Sequence, residues 1–434
     1  MQPRLQESRP DSPQSKLGTS RSRGQAPKHD HYRDVILFNL PSVASLFKPQ
    51  RKCANVARTR TGGVSCIIEV GRVPRLSILV TSFAHRSFAN WEPMLRRLSD
   101  RGHDINTAFF PRVSDRDHIG LSSVGFNNIG TWEIDDHFEL VNVAEALVLA
   151  QIGNWITWAK PDLIWLCTFH GGPEGNIYKR VMELNLPARP IIVGLQHGMA
   201  QDWAVFERCT DRFDVLGTFG QMFIDQCSPE FRQRMVVMGL PKLDQIAHNS
   251  RYGSPISRIL FAAQQEPSVN EAHLLLSGLA ARLGATVLIR PHPEHRAAFL
   301  PLSPRFFVTS PDIPLENILN SVDAMVTTGS TAALEGLVAG LPVAVLPLQR
   351  GEAYRRAGIV AESLDASDVI RVWDRFRRPD FALGVCKFLK EATGAVANGR
   401  VDIAIDAIHR LVEFRSARGQ RKHAAVLPLS ARYL

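Results

Sequence analysis

The chain repeats one pattern along most of its length: a short apolar run, a polar turn, then a stretch with apolar residues at helical spacing. "LSILVTSFA" (76–84) reads as a buried strand and "NWEPMLRRLSDRG" (90–102) as a helix closed by Gly102. "INTAFF" (105–110) and "GTWEI" (130–134) read as strands, and "HFELVNVAEALVLAQIGNWITWA" (137–159) as a helix. "PDLIWLCTF", "PIIVGLQ" and "DVLGTFG" are further apolar runs bounded by turn residues. Strands that alternate with helices form a parallel sheet covered on both faces.

A polar stretch, "AHNSRYGSPIS" (247–257), interrupts the pattern. It restarts with "RILFAAQQ", a helix near 269–283, "TVLIRPHP", "RFFVTS", a helix at 314–321, "DAMVTTGS", a helix at 331–340 and "PVAVLPL". A chain of 434 residues exceeds one compact core. The expected fold is therefore α/β, with two doubly wound Rossmann-like domains in series, 75–247 and 256–400. An amphipathic helix at 401–416 is placed to pack back across the junction.

The ends differ from this body. Residues 1–34 are rich in Ser, Pro, Gln, Arg and Gly and read as a disordered basic arm. Residues 35–74 read as a linker or short helix, and 417–434 as a basic tail. The net charge of +9 is concentrated there: 1–63 carry +8 and 415–434 carry +5, which leaves 64–414 at −4. A mildly acidic body argues against a nucleic-acid face. Basic ends suit a solvated arm or peripheral contact with an anionic membrane surface. The six cysteines are scattered without metal spacing, as in a reduced cytoplasmic protein. "HDHY" (29–32) lies in the arm, and no metal site is expected. No apolar stretch reaches membrane-spanning length, and the N-terminus lacks a secretory apolar core.

Parallel sheets bind ligands beyond the carboxyl ends of their strands. Five turns fall there: "TSFAHRS", "CTFHGGPEG", "LQHGMAQ", "IRPHPEH" and "TTGSTAALEG", and four contain a histidine. In "RPHP", His292 lies between two prolines that stiffen the backbone, and Arg290 offers a forked donor set. Both suit a phosphate. Gly329 permits a tight turn, and Ser330 and Thr331 are placed to cap the helix that follows. Glu335, one turn in, suits ribose hydroxyls. No GxGxxG loop follows the first strand, which argues against a nicotinamide cofactor.

The "RPHP" turn, together with a strand–"TGST"–helix unit ending in "GLPV", resembles the C-terminal half of GT-B-fold transferases. The similarity is to the bacterial group with CDP-glycerol polyglycerophosphate transferases, capsule Kdo-transferases and polysialyltransferases, and it covers roughly 76–380. "LQHG" is similar to an "x-HG" turn in many of the polyglycerophosphate enzymes. An acidic residue usual there soon after the serine pair is missing from "STAALE". The resemblance implies a metal-independent transferase; a cytoplasmic location is expected, with the basic ends suited to contact with the inner face of the membrane. Its donor is a nucleotide-sugar or CDP-polyol, gripped by Arg290, His292, Gly329, Ser330 and Thr331, and its acceptor is a cell-envelope, capsular or lipid-linked glycan. No separate cofactor is implied. A general base near neutral pKa suits the acceptor proton. His197 fills that role, with His85 its rival, His170 third, and Glu174 and Asp202 as acid partners. A nucleotide-sugar epimerase of the UDP-GlcNAc 2-epimerase type and a non-catalytic nucleotide- or glycan-binding protein are the alternatives.

Overall fold

The computed structural model describes residues 74–113, 125–167, 169, 172–199, 203–292, 304–310 and 313–420. The basic arm, the segment 35–73, the end of the basic tail, His170 and Asp202 lie outside them. Two parallel sheets carry the chain. The first has seven strands in the order β3-β2-β1-β4-β5-β6-β7. These are β1 Ser77–Ser82, β2 Asp104–Phe109, β3 Asn127–Thr131, β4 Leu163–Leu166, β5 Ile191–Leu195, β6 Val215–Thr218 and β7 Met235–Val237. The second has five in the order β10-β9-β8-β11-β12. These are β8 Arg258–Ala262, β9 Thr286–Arg290, β10 Phe306–Val308, β11 Ala324–Thr327 and β12 Val343–Val345. All strand pairs are parallel, and the two expected doubly wound sheets are present.

Apolar strands are buried because helices cover the sheets. β4 is buried along its whole length, and Trp165 on it packs edge-on to Trp91 at 6.3 Å. The helix Val269–Leu283 begins with a capping box between Ser268 and Glu271 and ends at Gly284 in the left-handed conformation.

The expected helix over 137–159 is only partly formed: it runs Glu145–Ala159. Residues 137–144 follow a different rule. The Asp135 carboxylate accepts the backbone N–H groups of His137 and Glu139, which makes a local turn that competes with helix. Phe138 there takes φ 66°, and its ring packs edge-on to Phe83 at 5.1 Å. The "GTWEI" strand is likewise shifted, to Asn127–Thr131, with Ile134 forming isolated bridges.

The last helix, Arg400–Gln420, packs against the helix Glu92–Asp100 and against β5 and β7 of the first sheet. Its first residue, Arg400, is wholly buried and pairs with Asp244 at 3.1 Å. The helix Pro379–Thr393 also reaches the first sheet, where a side chain at Gly220 would collide with the Glu391 carbonyl. Among the described residues, no helix is long and apolar enough to cross a membrane.

Between these layers His103 is buried, and its Nδ1 accepts the Leu76 N–H at 3.0 Å. Burial holds its pKa below the ordinary 6.5, assisted by His409 and Arg101. His273 is held low by burial as well. Folding therefore favours the neutral rings, while the unfolded chain takes up protons at the ordinary value. This contribution is complete above pH 6.5 and is lost as pH falls through 6.5 toward the folded values. The urea midpoint is expected to hold steady from pH 8 to 7 and to drop between 6.5 and 5.5. His103→Gln should flatten that drop, and a midpoint that rises on acidification would contradict it.

Candidate active site

Each sheet has one place where neighbouring strands diverge in connection, and a crevice opens beyond their carboxyl ends. In the second sheet it lies between β8 and β11, with β9 beside β8. β11 runs into Thr328, Gly329, Ser330 and Thr331. The turn is tight: the Ser330 N–H donates to the Thr328 carbonyl at 2.6 Å. The buried Tyr354 hydroxyl donates to the Ser330 carbonyl at 2.6 Å and fixes the turn from beneath. Burial, then the nearby Glu335 charge, pushes the Tyr354 hydroxyl well above its ordinary pKa, so it remains a donor.

Capping here differs from expectation. Ser330 Oγ accepts the Ala332 N–H at 3.3 Å, whereas the Thr331 side chain makes no capping bond. Thr331 itself has helical backbone angles, which turn its hydroxyl away from the N–H groups ahead. Arg290 ends β9 and His292 follows it at the same edge, both half-buried. The Arg290 carbonyl accepts the Ala263 N–H at 3.0 Å, and its guanidinium donates to the Ile313 carbonyl at 3.3 Å.

Glu335 is buried rather than open to a ligand on both oxygens. Its Oε1 pairs at 3.1 Å with Nζ of Lys242, which lies in the short 3-10 turn Pro241–Gln245. Its Oε2 is buried without a partner among the described residues, as is Thr328 Oγ1.

In the first sheet the divergence lies between β1 and β4. His85 opens the helix His85–Ala89 just after β1 and is half-buried. Glu174 lies in the first turn of the helix Gly172–Glu183 after β4. It is only 2% exposed and accepts the Thr81 hydroxyl at 2.6 Å, so it faces the sheet. Cys167 beside it is fully buried, and burial, then Glu174, pushes its thiol well up. That thiol is no nucleophile.

His197 follows β5, one strand from the divergence, and is half-buried. The sequence alone missed what holds it. Gln196 is buried, donates to the Gly198 carbonyl at 2.8 Å and accepts the Phe219 N–H at 2.9 Å. This ties the turn after β5 to the turn after β6. Asn90 donates to the His197 carbonyl at 3.4 Å, and its own carbonyl accepts the Lys242 N–H at 3.1 Å. His197, Asn90, Lys242 and Glu335 thus form one chain of contacts from one sheet edge to the other. A buried glutamine directly before "HG" was the only visible signal, and Asn90 and Lys242 carried none.

The sequence matches no protein-family model and no curated protein. Solved structures do match. The glycosyltransferase SnogD from Streptomyces nogalater is similar at TM-score 0.52 and 18% identity, covering 78% of this chain and 100% of that one. The fold is GT-B-like. HepE of Anabaena, in complex with UDP and glucose, gives 0.53 at 12% identity over 78% of this chain and 100% of its own. A UDP-N-acetylglucosamine 2-epimerase gives 0.52 at 13% identity over 81% and 99%. At these identities the likeness is one of fold.

Replacing Lys242 by Met strands the buried Glu335 carboxylate. Lys242→Met should lower unfolding stability by about 1–3 kcal/mol. Adding Glu335→Gln should recover most of that loss in chemical denaturation. Strictly additive losses in the double variant would contradict the pairing.

Proposed function

We propose that the chain is a glycosyltransferase-type enzyme. It moves a sugar or polyol-phosphate unit from a nucleotide-activated donor to a cell-envelope or capsular glycan acceptor, without a metal. One observation supports this most. Arg290 and His292 come to the same carboxyl edge as the Gly329–Thr331 turn, beside the divergence of the second sheet, while His85 and His197 come to the carboxyl edge of the first. HepE, whose structure holds UDP and glucose, shares the fold.

In this reading Arg290, His292, the Gly329 and Thr331 N–H groups and the Ser330 hydroxyl take the donor phosphates. Their charge stabilises the departing nucleotide, the work a metal does elsewhere. Glu335 meets the ribose hydroxyls once a small shift of the turn opens its buried, unpartnered Oε2, while Oε1 stays on Lys242. His197 takes the proton of the acceptor hydroxyl as its oxygen bonds to the transferred unit and the bond to the nucleotide breaks. The contacts of Gln196 and Asn90 hold the His197 backbone in place for this. The basic ends of the chain hold it at an anionic membrane surface.

Radiolabelled CMP-, CDP-, UDP- and GDP-activated donors, each with and without a glycan acceptor, test the reading. Transfer that requires acceptor supports it. Isomerised sugar without acceptor points to an epimerase, and binding without turnover to a non-catalytic protein.

His292→Ala should weaken nucleotide binding by about 1–3 kcal/mol in calorimetry, as for a lost charge-assisted bond. Unchanged affinity in a folded variant removes that assignment. His197→Ala should lower turnover by about 10²–10⁴ with donor affinity nearly intact. If His85→Ala shows that loss instead, the base belongs to the turn after β1.

A further inference from the structure

A cavity of about 500 Å³ opens at the divergence of the first sheet, apart from the residues assigned above. Its walls are the irregular segment around Phe138, the start of the helix Gly172–Glu183, and Arg212. Its size is within the ordinary range for small-molecule sites.

Three features make it a built site. First, Arg212 is half-buried, and among the described residues no carboxylate lies within 4.0 Å of its guanidinium. Second, the helix leaves room for it: a Cβ on Gly175 would lie 2.9 Å from Arg212 Nη1 and 3.1 Å from the Phe169 carbonyl. A larger residue there would push the guanidinium aside. Third, the opposite wall is fixed in the same way. Gly172 takes φ 57°, and a Cβ there would lie 2.8 Å from the Phe138 carbonyl. Phe138 is clamped by Phe83 and by the Arg112 guanidinium, 4.4 Å from its ring centre.

The other ionisable groups facing the cavity are His137, Glu139 and Glu145. Glu145 is engaged by Asn176 at 2.7 Å, and Glu139 and His137 are exposed at the rim, where they suit hydroxyl groups. Glu174 points away, toward Thr81. Among the described residues neither lining carboxylate, Glu139 or Glu145, pairs with Arg212, so its guanidinium is left to a ligand.

We propose that this cavity binds an acidic saccharide, with Arg212 gripping its carboxylate through two parallel N–H donors. Phe138, Leu140 and Val143 give the sugar an apolar wall, and the rim groups meet its hydroxyls. Binding stands by itself; the further step, that this saccharide is the end of the acceptor glycan, rests on the transferase reading.

The test is calorimetry on the full chain with a hexuronic-acid disaccharide, the matching neutral hexose disaccharide and inorganic phosphate. The wild type should bind the uronic acid at least about tenfold tighter than the other two, the scale of one charge-assisted bond. Arg212→Gln should erase that preference without changing the melting temperature. Glu139→Gln, at an exposed position, should strengthen uronic-acid binding by removing a like charge, which gives an independent readout if Arg212→Gln misfolds. Equal affinity for acidic and neutral sugars, phosphate binding as tightly as the uronic acid, or a preference that survives Arg212→Gln would each overturn the proposal. Uronic-acid binding with no turnover of any donor would remove the transferase reading and leave the site. Transfer to an acidic acceptor with KM unchanged in Arg212→Gln would do the reverse.

Discussion

The Asp244 carboxylate ties the last helix to the first sheet. It sits in the short turn that leaves the first sheet. Oδ1 accepts from Arg400 at 3.1 Å, and Oδ2 accepts the Gly399 and Val401 N–H groups at 3.0 and 2.9 Å. Arg400 in turn donates to Thr393 Oγ1 and to the Ala395 and Ala397 carbonyls. A wholly buried guanidinium is costly unless its donors are met, and here they are. Burial still draws its pKa down, with Asp244 opposing. The result is that the last helix returns to the first sheet just where the chain passes to the second. The Lys242–Glu335 pair lies two residues from Asp244, so these two contacts belong to one short turn.

Parallel topology then decides where chemistry can sit. Side chains inside either sheet are committed to packing, while backbone beyond the carboxyl ends is free to form turns. Each candidate residue of the second sheet lies in such a turn or, as with Glu335, one helical turn further. The same holds for His85 and His197. The positions differ in how firmly they are held: the Gly329–Thr331 turn rests on a buried tyrosine, and the His197 turn on a buried glutamine.

Much of this was legible in the sequence because apolar periodicity is a local property. The runs at Ser77–Ser82, Leu163–Leu166 and Thr286–Arg290 are short and bounded by Pro or polar turns, and a helix fits none of them. The helix Val269–Leu283 announced itself through Ser268, Glu271 and Gly284. The misread segment, 137–144, has helical apolar spacing but is governed by the Asp135 turn and by aromatic contacts to residues distant in sequence. In the site, histidines at strand ends were visible. The partner of Glu335 was not, since Lys242 is 93 residues away and nothing local marks it among the ten lysines. Long-range pairs leave no periodic trace in one sequence.

The central claim is that the carboxyl edge of the second sheet holds a nucleotide. Amide hydrogen exchange with and without UDP, CDP, CMP and GDP measures this directly. The account predicts that one of these nucleotides slows exchange in 289–292 and 327–336 and leaves 81–87 and 172–176 unchanged. Protection confined to the first sheet, or none with any of the four, would contradict it.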